Sequence, residues 1–183
     1  MASPSTTIDS RVREGLSDGS LAGTWVLDSA RSRVELKSKS VWGLVPVNGQ
    51  FTEVSGQGVV SPGGEVTGSI RLASASVDTK NKKRDDHLRS ADFFDAETHP
   101  DIAFVLDRVN VAEQGATAIG TLEVAGHKGP LEVPISATAG ADNTLEIDAE
   151  AHIDRSEFGL SFNKMGMMSM KNVITIHAVF TRN

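Results

Sequence analysis

The feature that most constrains this chain is a period-two alternation of apolar and polar residues that recurs over most of its length. In the clearest run, residues 145–153, Leu145 and Ile147 alternate with Glu146 and Asp148. Successive side chains of a β-strand point to opposite faces, so the pattern predicts strands with one buried face and one face in water. Similar runs start at Val34, Val66, Ile102, Leu122, Leu131 and Ile174.

Turn-forming sequences separate these runs. Asn48-Gly49 and Pro62-Gly63-Gly64 lie between apolar stretches, as do residues 126–129 and 141–143. Many strands with such connections indicate a sandwich or a barrel. The strands are long and successive, and closure removes exposed sheet edges, so we predict an antiparallel β-barrel.

Two segments break the alternation. Residues 78–97 are highly charged, with Asp85 early and Arg89 late, an order that suits a helix dipole. We expect a short helical crossover that lies over one end of the barrel. The second segment, residues 154–171, is interrupted by glycines and holds four of the five methionines. This run is either a flexible rim at the mouth of a cavity or a plug that closes one end.

The start of the chain differs from the rest. Residues 1–22 are expected to form a tail or a short helix, peripheral to a single β-barrel domain at residues 23–183, because Ile8, Val12 and Leu16 recur at fourfold spacing. The start lacks the apolar run of a signal peptide, so we expect a cytoplasmic location. The sequence contains no stretch of 18 apolar residues, so we predict no membrane-spanning helix.

Composition excludes several classes of function. The chain has no cysteine, which excludes disulfides and thiolate catalysis. Lys and Arg total 18 against 24 Asp and Glu, so the net charge is −6. Without a basic block, the chain is a poor candidate for binding nucleic acid or anionic membranes.

The sharpest polar motif is the run RDDHL at residues 84–88. His87 oriented by Asp85 would resemble a general base, and His99 would be a further metal ligand, although no nucleophile or zinc-type spacing accompanies them. A structural alternative makes Arg84 and Asp85 a pair that pins the crossover to the barrel. Contact with a ligand head is the third interpretation.

Small residues at inward positions predict a cavity. Gly68, Ala149, Ala151 and Ala178 fall on the apolar face of their strands. A small barrel fills its interior with side chains or with a ligand, and these residues leave room.

Several segments together resemble the YceI-like family of polyisoprenoid-binding proteins. They occur in the family's order and cover about residues 23–181. The segments are WVLD at 25–28, VNGQF at 47–51, RDDHLRSADFFD at 84–95, HPDIAF at 99–104, GTLEVAGHK at 120–128 and IDRSEFGL at 153–160.

The resemblance implies an all-β fold, an extended, lipocalin-like antiparallel barrel of eight strands. It implies that a long-chain isoprenoid or acyl lipid, such as a polyprenyl lipid or a quinone tail, lies inside. It implies no metal, no cofactor and no reaction. Many relatives are periplasmic, and a homodimer is compatible with the family.

On this basis we expect two sets of ligand-contacting residues. The cavity wall is expected to comprise Val34, Leu36, Ile70, Leu72, Phe104, Leu122, Val133, Ile147, Phe162, Ile176 and Phe180. The mouth is expected to comprise Arg84, His87, Phe93, Phe94, Met165, Met167 and Met168.

Three functions remain open at this point. The first is a carrier or sequestering protein for an amphiphile with a long apolar chain. The second is a lipid-modifying enzyme that uses the same cavity, for which His87→Ala would abolish turnover and spare binding. The third is a structural or stress-related interaction domain with a filled core, which would have no cavity.

Overall fold

The computed structural model describes residues 6–183, which fold into strands and a few short helical segments. The helices are α1 (Ser10–Ser17) and α2 (Lys82–Arg89), and 3₁₀ turns lie at Ser74–Ser76, Arg155–Phe158 and Lys164–Gly166. The strands are β1 (Gly23–Leu27), β2 (Arg33–Ser40), β3 (Val45–Phe51), β4 (Val54–Val60), β5 (Val66–Ala73), β6 (Val77–Asp78), β7 (Asp101–Val111), β8 (Ala116–Val124), β9 (His127–Ala139), β10 (Thr144–Asp154) and β11 (Lys171–Arg182).

These strands form one closed antiparallel barrel. Strand β11 pairs with β1 near its end and with β2 near its start. On the next position around the ring, β4 pairs with β1 and β3 pairs with β2. On the position after that, β5 pairs with β4 and β6 pairs with β3. Each of these three couples therefore acts as one interrupted strand. Strands β7 to β11 complete the ring as a simple meander. The expected eight-stranded antiparallel barrel is confirmed.

Buried serine hydroxyls satisfy the backbone where the strands are interrupted. Between β1 and β2, the hydroxyl of Ser32 donates to the carbonyl of Asp28 and accepts from the N–H of Val179. Between β5 and β6, the hydroxyl of Ser76 donates to the carbonyl of Ala73 and accepts from the N–H of Glu53. A buried backbone group without a partner is costly, so these serines allow the kinks.

The meander gives the barrel two different ends. The connections at residues 61–65, 112–115 and 140–143 lie at one end, which α1 covers and which we call the α1 end. The connections at residues 41–44, 79–100, 125–126 and 155–170 lie at the other end. Helix α2 lies there, so we call it the α2 end. The crossover expected over one end of the barrel is confirmed.

The α1 end is sealed by the N-terminal segment. Asp9 caps α1 by accepting from the N–H of Arg11. Ile8 and Val12 are buried in one apolar cluster with Trp25. Val12 and Leu16 lie on this helix, whereas Ile8 precedes it and forms a bridge with Ala137. The expectation that this segment is peripheral to the core is wrong, because its apolar side chains pack inside the barrel rim. No helix among residues 6–183 is long and apolar enough to cross a membrane.

The seal makes a stability prediction. Replacing Ile8 with Ala removes buried apolar volume at the α1 end and should lower the free energy of unfolding by about 2 kcal/mol. Urea denaturation followed by tryptophan fluorescence measures the change. Glu14→Ala, at an exposed position of the adjoining helix α1, is the control and should shift the value by less than about 0.5 kcal/mol. Equal unfolding midpoints for wild type and Ile8→Ala would show that the segment contributes no seal.

Candidate functional site

The barrel encloses an apolar cavity of about 390 Å³. This volume lies within the range of about 300–1,000 Å³ that is usual for small-molecule sites. The cavity is lined by all but one of the expected wall residues, namely Val34, Leu36, Ile70, Leu72, Phe104, Leu122, Val133, Ile147, Ile176 and Phe180.

Inward glycines create part of this space. Gly58 and Gly68 lie opposite each other on β4 and β5, and Gly58 also lies opposite Trp25 on β1. A Cβ atom on Gly68 would lie 2.5 Å from the backbone oxygen of Gln57, so no larger residue fits there without a backbone shift. At Gly58 the nearest atom is 3.5 Å away, an ordinary contact. Without side chains, these positions leave the centre of the barrel open.

Phe162 is the exception among the expected wall residues, because it does not line the cavity. It follows β10 in an irregular segment, where strand alternation does not decide which way a side chain points. Its ring packs edge-on against His87 at 5.0 Å and against Phe93 at 5.4 Å between centroids. Phe162 therefore supports two residues that do line the cavity, His87 and Phe93.

The expected mouth residues also separate into two groups. Arg84, His87, Phe93, Phe94 and Met168 line the cavity, whereas Met165 and Met167 do not. The side chain of Met165 is 79% exposed, and the carbonyl of Met167 accepts from the N–H of Trp42. The N–H of Met168 donates to Asn163, which holds that methionine at the rim. The loop curls back at Met165, which has a positive φ of 57°, so its methionines do not share one face.

Arg84 and Asp85 anchor α2 through a shared partner. Asp85 is buried, and its Oδ1 accepts from the N–H and the hydroxyl of Thr79 at 2.9 and 2.5 Å. Arg84 donates from Nε to the same hydroxyl at 2.7 Å and from Nη2 to the Thr79 carbonyl at 3.0 Å. The two side chains thus pin the crossover by bonding Thr79.

His87 has a different carboxylate partner from the one expected. Its Nε2 lies 2.9 Å from Oδ2 of Asp92, while Asp85 is engaged with Thr79. The Asp85–His87 couple considered for catalysis therefore does not form. His99, the additional metal candidate, lies beside Gly126 in the β8–β9 turn. Among residues 6–183, no three potential ligands come together as a metal site.

Sequence reasoning missed Arg155, which lines the cavity and is only 7% exposed. Its Nε donates to the carbonyl of Ser169 at 3.0 Å, Nη1 donates to the carbonyl of Leu160, and the guanidinium lies 5.4 Å from the ring centre of Phe93. Its Nη2 is buried without a hydrogen-bond partner. Burial lowers the pKa of Arg155, and the nearby Asp154 carboxylate opposes this shift. The sequence signal that marked this residue was its place in the segment at 153–160.

The rim of the α2 end is apolar on its outer side. In the β2–β3 turn, Trp42 is 66% and Leu44 78% exposed. This turn is joined to the methionine loop where Ser40 pairs with Met168. Both of those residues line the cavity, so the exposed apolar surface continues into the interior.

Comparisons with known proteins agree with this geometry. The sequence profile of the YceI-like domain matches residues 25–181. A UPF0312 protein of Staphylococcus epidermidis is 26% identical over 158 residues, which is 80% of this chain and 90% of that protein.

Solved structures with the same fold include BcnA of Burkholderia cenocepacia. It is 26% identical, has a TM-score of 0.76, and the match covers 84% of this chain and 98% of that one. A YceI protein of Campylobacter jejuni is also 26% identical, with a TM-score of 0.63 over 75% of this chain and 85% of that one. A polyisoprenoid-binding domain from Saccharophagus degradans is 16% identical, with a TM-score of 0.68 over 87% and 98% of the two chains.

The α2 anchor gives a testable pair of variants. Asp85→Ala leaves the buried donors of Thr79 without their acceptor and should lower the free energy of unfolding by about 1–3 kcal/mol. Urea denaturation measures this loss. The control is Asp86→Ala, whose exposed carboxylate pairs with Lys82 and Arg89 and should contribute less than about 1 kcal/mol. If the two variants lose equal stability, the buried network is not the anchor.

Proposed function

The chain belongs to the YceI-like domain family, and we propose from this premise that it binds an amphiphile with a long apolar chain inside its barrel and carries or sequesters it. The ligand would be of polyisoprenoid, quinone or fatty acyl type. The observation that carries the proposal is the apolar cavity of about 390 Å³, which reaches the rim of the α2 end. The Saccharophagus domain described above is named for polyisoprenoid binding, which agrees with this ligand class.

The cavity wall favours an apolar chain on energetic grounds. Each methylene group removed from water contributes about 0.8 kcal/mol. The wall residues contributed by the strands are mainly aliphatic and aromatic, so they recognise chain length and shape more than chemical detail. We therefore expect related chains to compete for the same space.

The two alternatives have less support. A domain with a filled core would have no cavity of this size. An enzyme would need a titratable group beside the ligand together with a reacting partner. His87 is the titratable histidine of the lining, and it is held by Asp92 at a half-exposed position. We propose binding without chemistry.

The decisive experiment is to purify the protein from its native host and extract it with organic solvent. Mass spectrometry then compares the extract with that of a control protein purified in the same way. We expect a stoichiometric isoprenoid, quinone or acyl species. An empty extract, together with no uptake of added polyprenyl or fatty acyl chains, would contradict the proposal.

A cavity-filling variant separates binding from stability. Gly58→Leu places a side chain in the centre of the barrel, where a Cβ meets ordinary contacts. It should reduce uptake of a long-chain probe at least tenfold, while stability stays equal or rises by about 0.5–1 kcal/mol because a strand glycine is removed. Ser55→Leu puts the same side chain on the exposed outer face of β4 and should leave uptake unchanged. Displacement of an uncharged fluorescent dye measures uptake, and undiminished uptake by Gly58→Leu would place the ligand elsewhere.

A further inference from the structure

Two neighbouring tips at the rim of the α2 end expose large apolar side chains. One tip is the β2–β3 turn, and the other is the methionine loop. The exposed side chains, which we call the rim patch, are Val41, Trp42, Leu44, Val45 and Met165. Backbone hydrogen bonds join the tips, since the N–H of Trp42 donates to the carbonyl of Met167 and the N–H of Ser169 donates to that of Lys39. The two tips therefore lie side by side.

Each tip holds a large apolar residue in a backbone conformation that such residues rarely adopt. Trp42 has a φ of 53° beside Gly43, and Met165 has a φ of 57° beside Gly166. Turns with positive φ favour Asn, Asp or Gly, which adopt it with little strain. A Cβ atom on either glycine would meet no atom within 4 Å, so both tips project into open space. Backbone strain of this kind is concentrated at functional sites, which indicates a contact outside the protein.

The chain around the rim patch is cationic, although the whole protein carries a net charge of −6. Residues 36–52 and 158–176 contain lysines and no Asp or Glu. Lys37 and Lys39 are exposed on β2 and form no ion pair within the described part of the chain. The sequence has no basic block because the two segments are far apart in the chain, and the pairing of β2 with β11 brings them together.

An apolar tip beside exposed lysines suits the surface of a bilayer that contains anionic lipids. Tryptophan is enriched where a protein meets the boundary between lipid headgroups and acyl chains. Each lysine near an anionic bilayer surface adds to the attraction. A stable protein interface, by contrast, takes about 20–30 residues from each partner. The five side chains of the rim patch are too few for such an interface, but they match a shallow insertion among lipids.

We infer that the rim patch docks the barrel onto a bilayer surface that carries anionic headgroups. Trp42, Leu44 and Met165 insert among the headgroups, and Lys37 and Lys39 lie against the lipid phosphates. The bridge that joins the two tips also lines the cavity, so docking turns the rim of the cavity toward the bilayer. The inference goes beyond the proposed function, because it concerns a surface outside the cavity.

The test is binding of the full-length protein to lipid vesicles at low salt. One set of vesicles is phosphatidylcholine alone, and the other is phosphatidylcholine mixed with anionic phosphatidylglycerol. We expect binding to the mixed vesicles to be tighter by about tenfold or more, and to weaken as salt is added, since salt screens exposed charges. Flotation through a density gradient measures the bound fraction.

Tryptophan emission reports whether the rim patch enters the lipid. Trp42 is 66% exposed, whereas Trp25 is buried in the cluster that seals the α1 end. Insertion should shift the emission of wild type to shorter wavelength on vesicle binding. Trp42→Phe should bind the vesicles without that shift, because it keeps an apolar ring and removes the reporter.

Removing the apolar tip measures its contribution to docking. Trp42→Asn/Leu44→Ser should weaken vesicle binding by about tenfold or more. The turn should persist, because asparagine tolerates a positive φ. The matched control is Val105→Ser/Val111→Ser, which removes two exposed apolar side chains from β7 and should leave vesicle binding unchanged.

Removing the lysines measures the contribution of charge. Lys37→Gln/Lys39→Gln should reduce the preference for the anionic vesicles to less than about threefold. The matched control is Arg71→Gln/Arg108→Gln, which removes the same charge from exposed positions of β5 and β7 and should keep the preference.

The outcomes separate this inference from the proposed function. Equal binding to both vesicle types, or none to either, overturns docking, whereas a lipid in the solvent extract would leave the carrier in place. A dimer of wild type that Trp42→Asn/Leu44→Ser abolishes, as sedimentation equilibrium would show, makes the rim patch an interface between copies and also overturns docking. Should that double variant fail to fold, the emission of wild type and of Trp42→Phe still decides whether the rim patch inserts.

Discussion

Closure of the sheet is the constraint on which the rest of the molecule depends. It is made where β1 pairs with the end of β11, with Trp25 opposite Arg182 and Leu27 opposite Phe180. A closed antiparallel barrel of eight strands has a fixed interior, which side chains must fill unless a ligand does. Once the ring is closed, each inward residue decides how much of that interior stays empty. Glycine at positions 58 and 68 therefore has a consequence that it would not have in an open sheet.

The two ends of the barrel differ in the length of their connections. Short turns leave the α1 end to be covered by a single amphipathic helix, and Ile8 and Val12 complete an apolar seal there. The α2 end carries the long connections, whose irregular backbone brings polar side chains to the rim. Because neighbouring strands run in opposite directions, each connection begins and finishes at the same end of the barrel. The short turns and the long irregular connections thus lie at opposite ends of one cavity.

Much of the fold could be predicted, because long alternating runs such as residues 145–153 indicate strands with one face exposed to solvent. The interruptions of the strands could not be predicted, because they depend on hydrogen bonds between residues far apart in the sequence. Ser32 accepts from the N–H of Val179, and Ser76 accepts from the N–H of Glu53. Phe162 was misplaced because alternation has no meaning beyond the end of a strand. Arg155 was missed because arginine is rarely buried, and its burial is decided by carbonyls fourteen and five residues away. Local pattern thus predicts strands well, and loop-built sites poorly.

Arg155 links the shape of the α2 end to its chemistry. By donating to the carbonyls of Leu160 and Ser169 it closes the loop at residues 155–170 on itself, and this loop presents Met168 at the rim. Two of its nitrogens donate to carbonyls of the loop, and the third, Nη2, is buried without a hydrogen-bond partner. An apolar residue in its place would avoid the cost of a buried cation, but it would leave those two carbonyls without their donor. The residue that holds the rim in place therefore also forms part of the cavity wall.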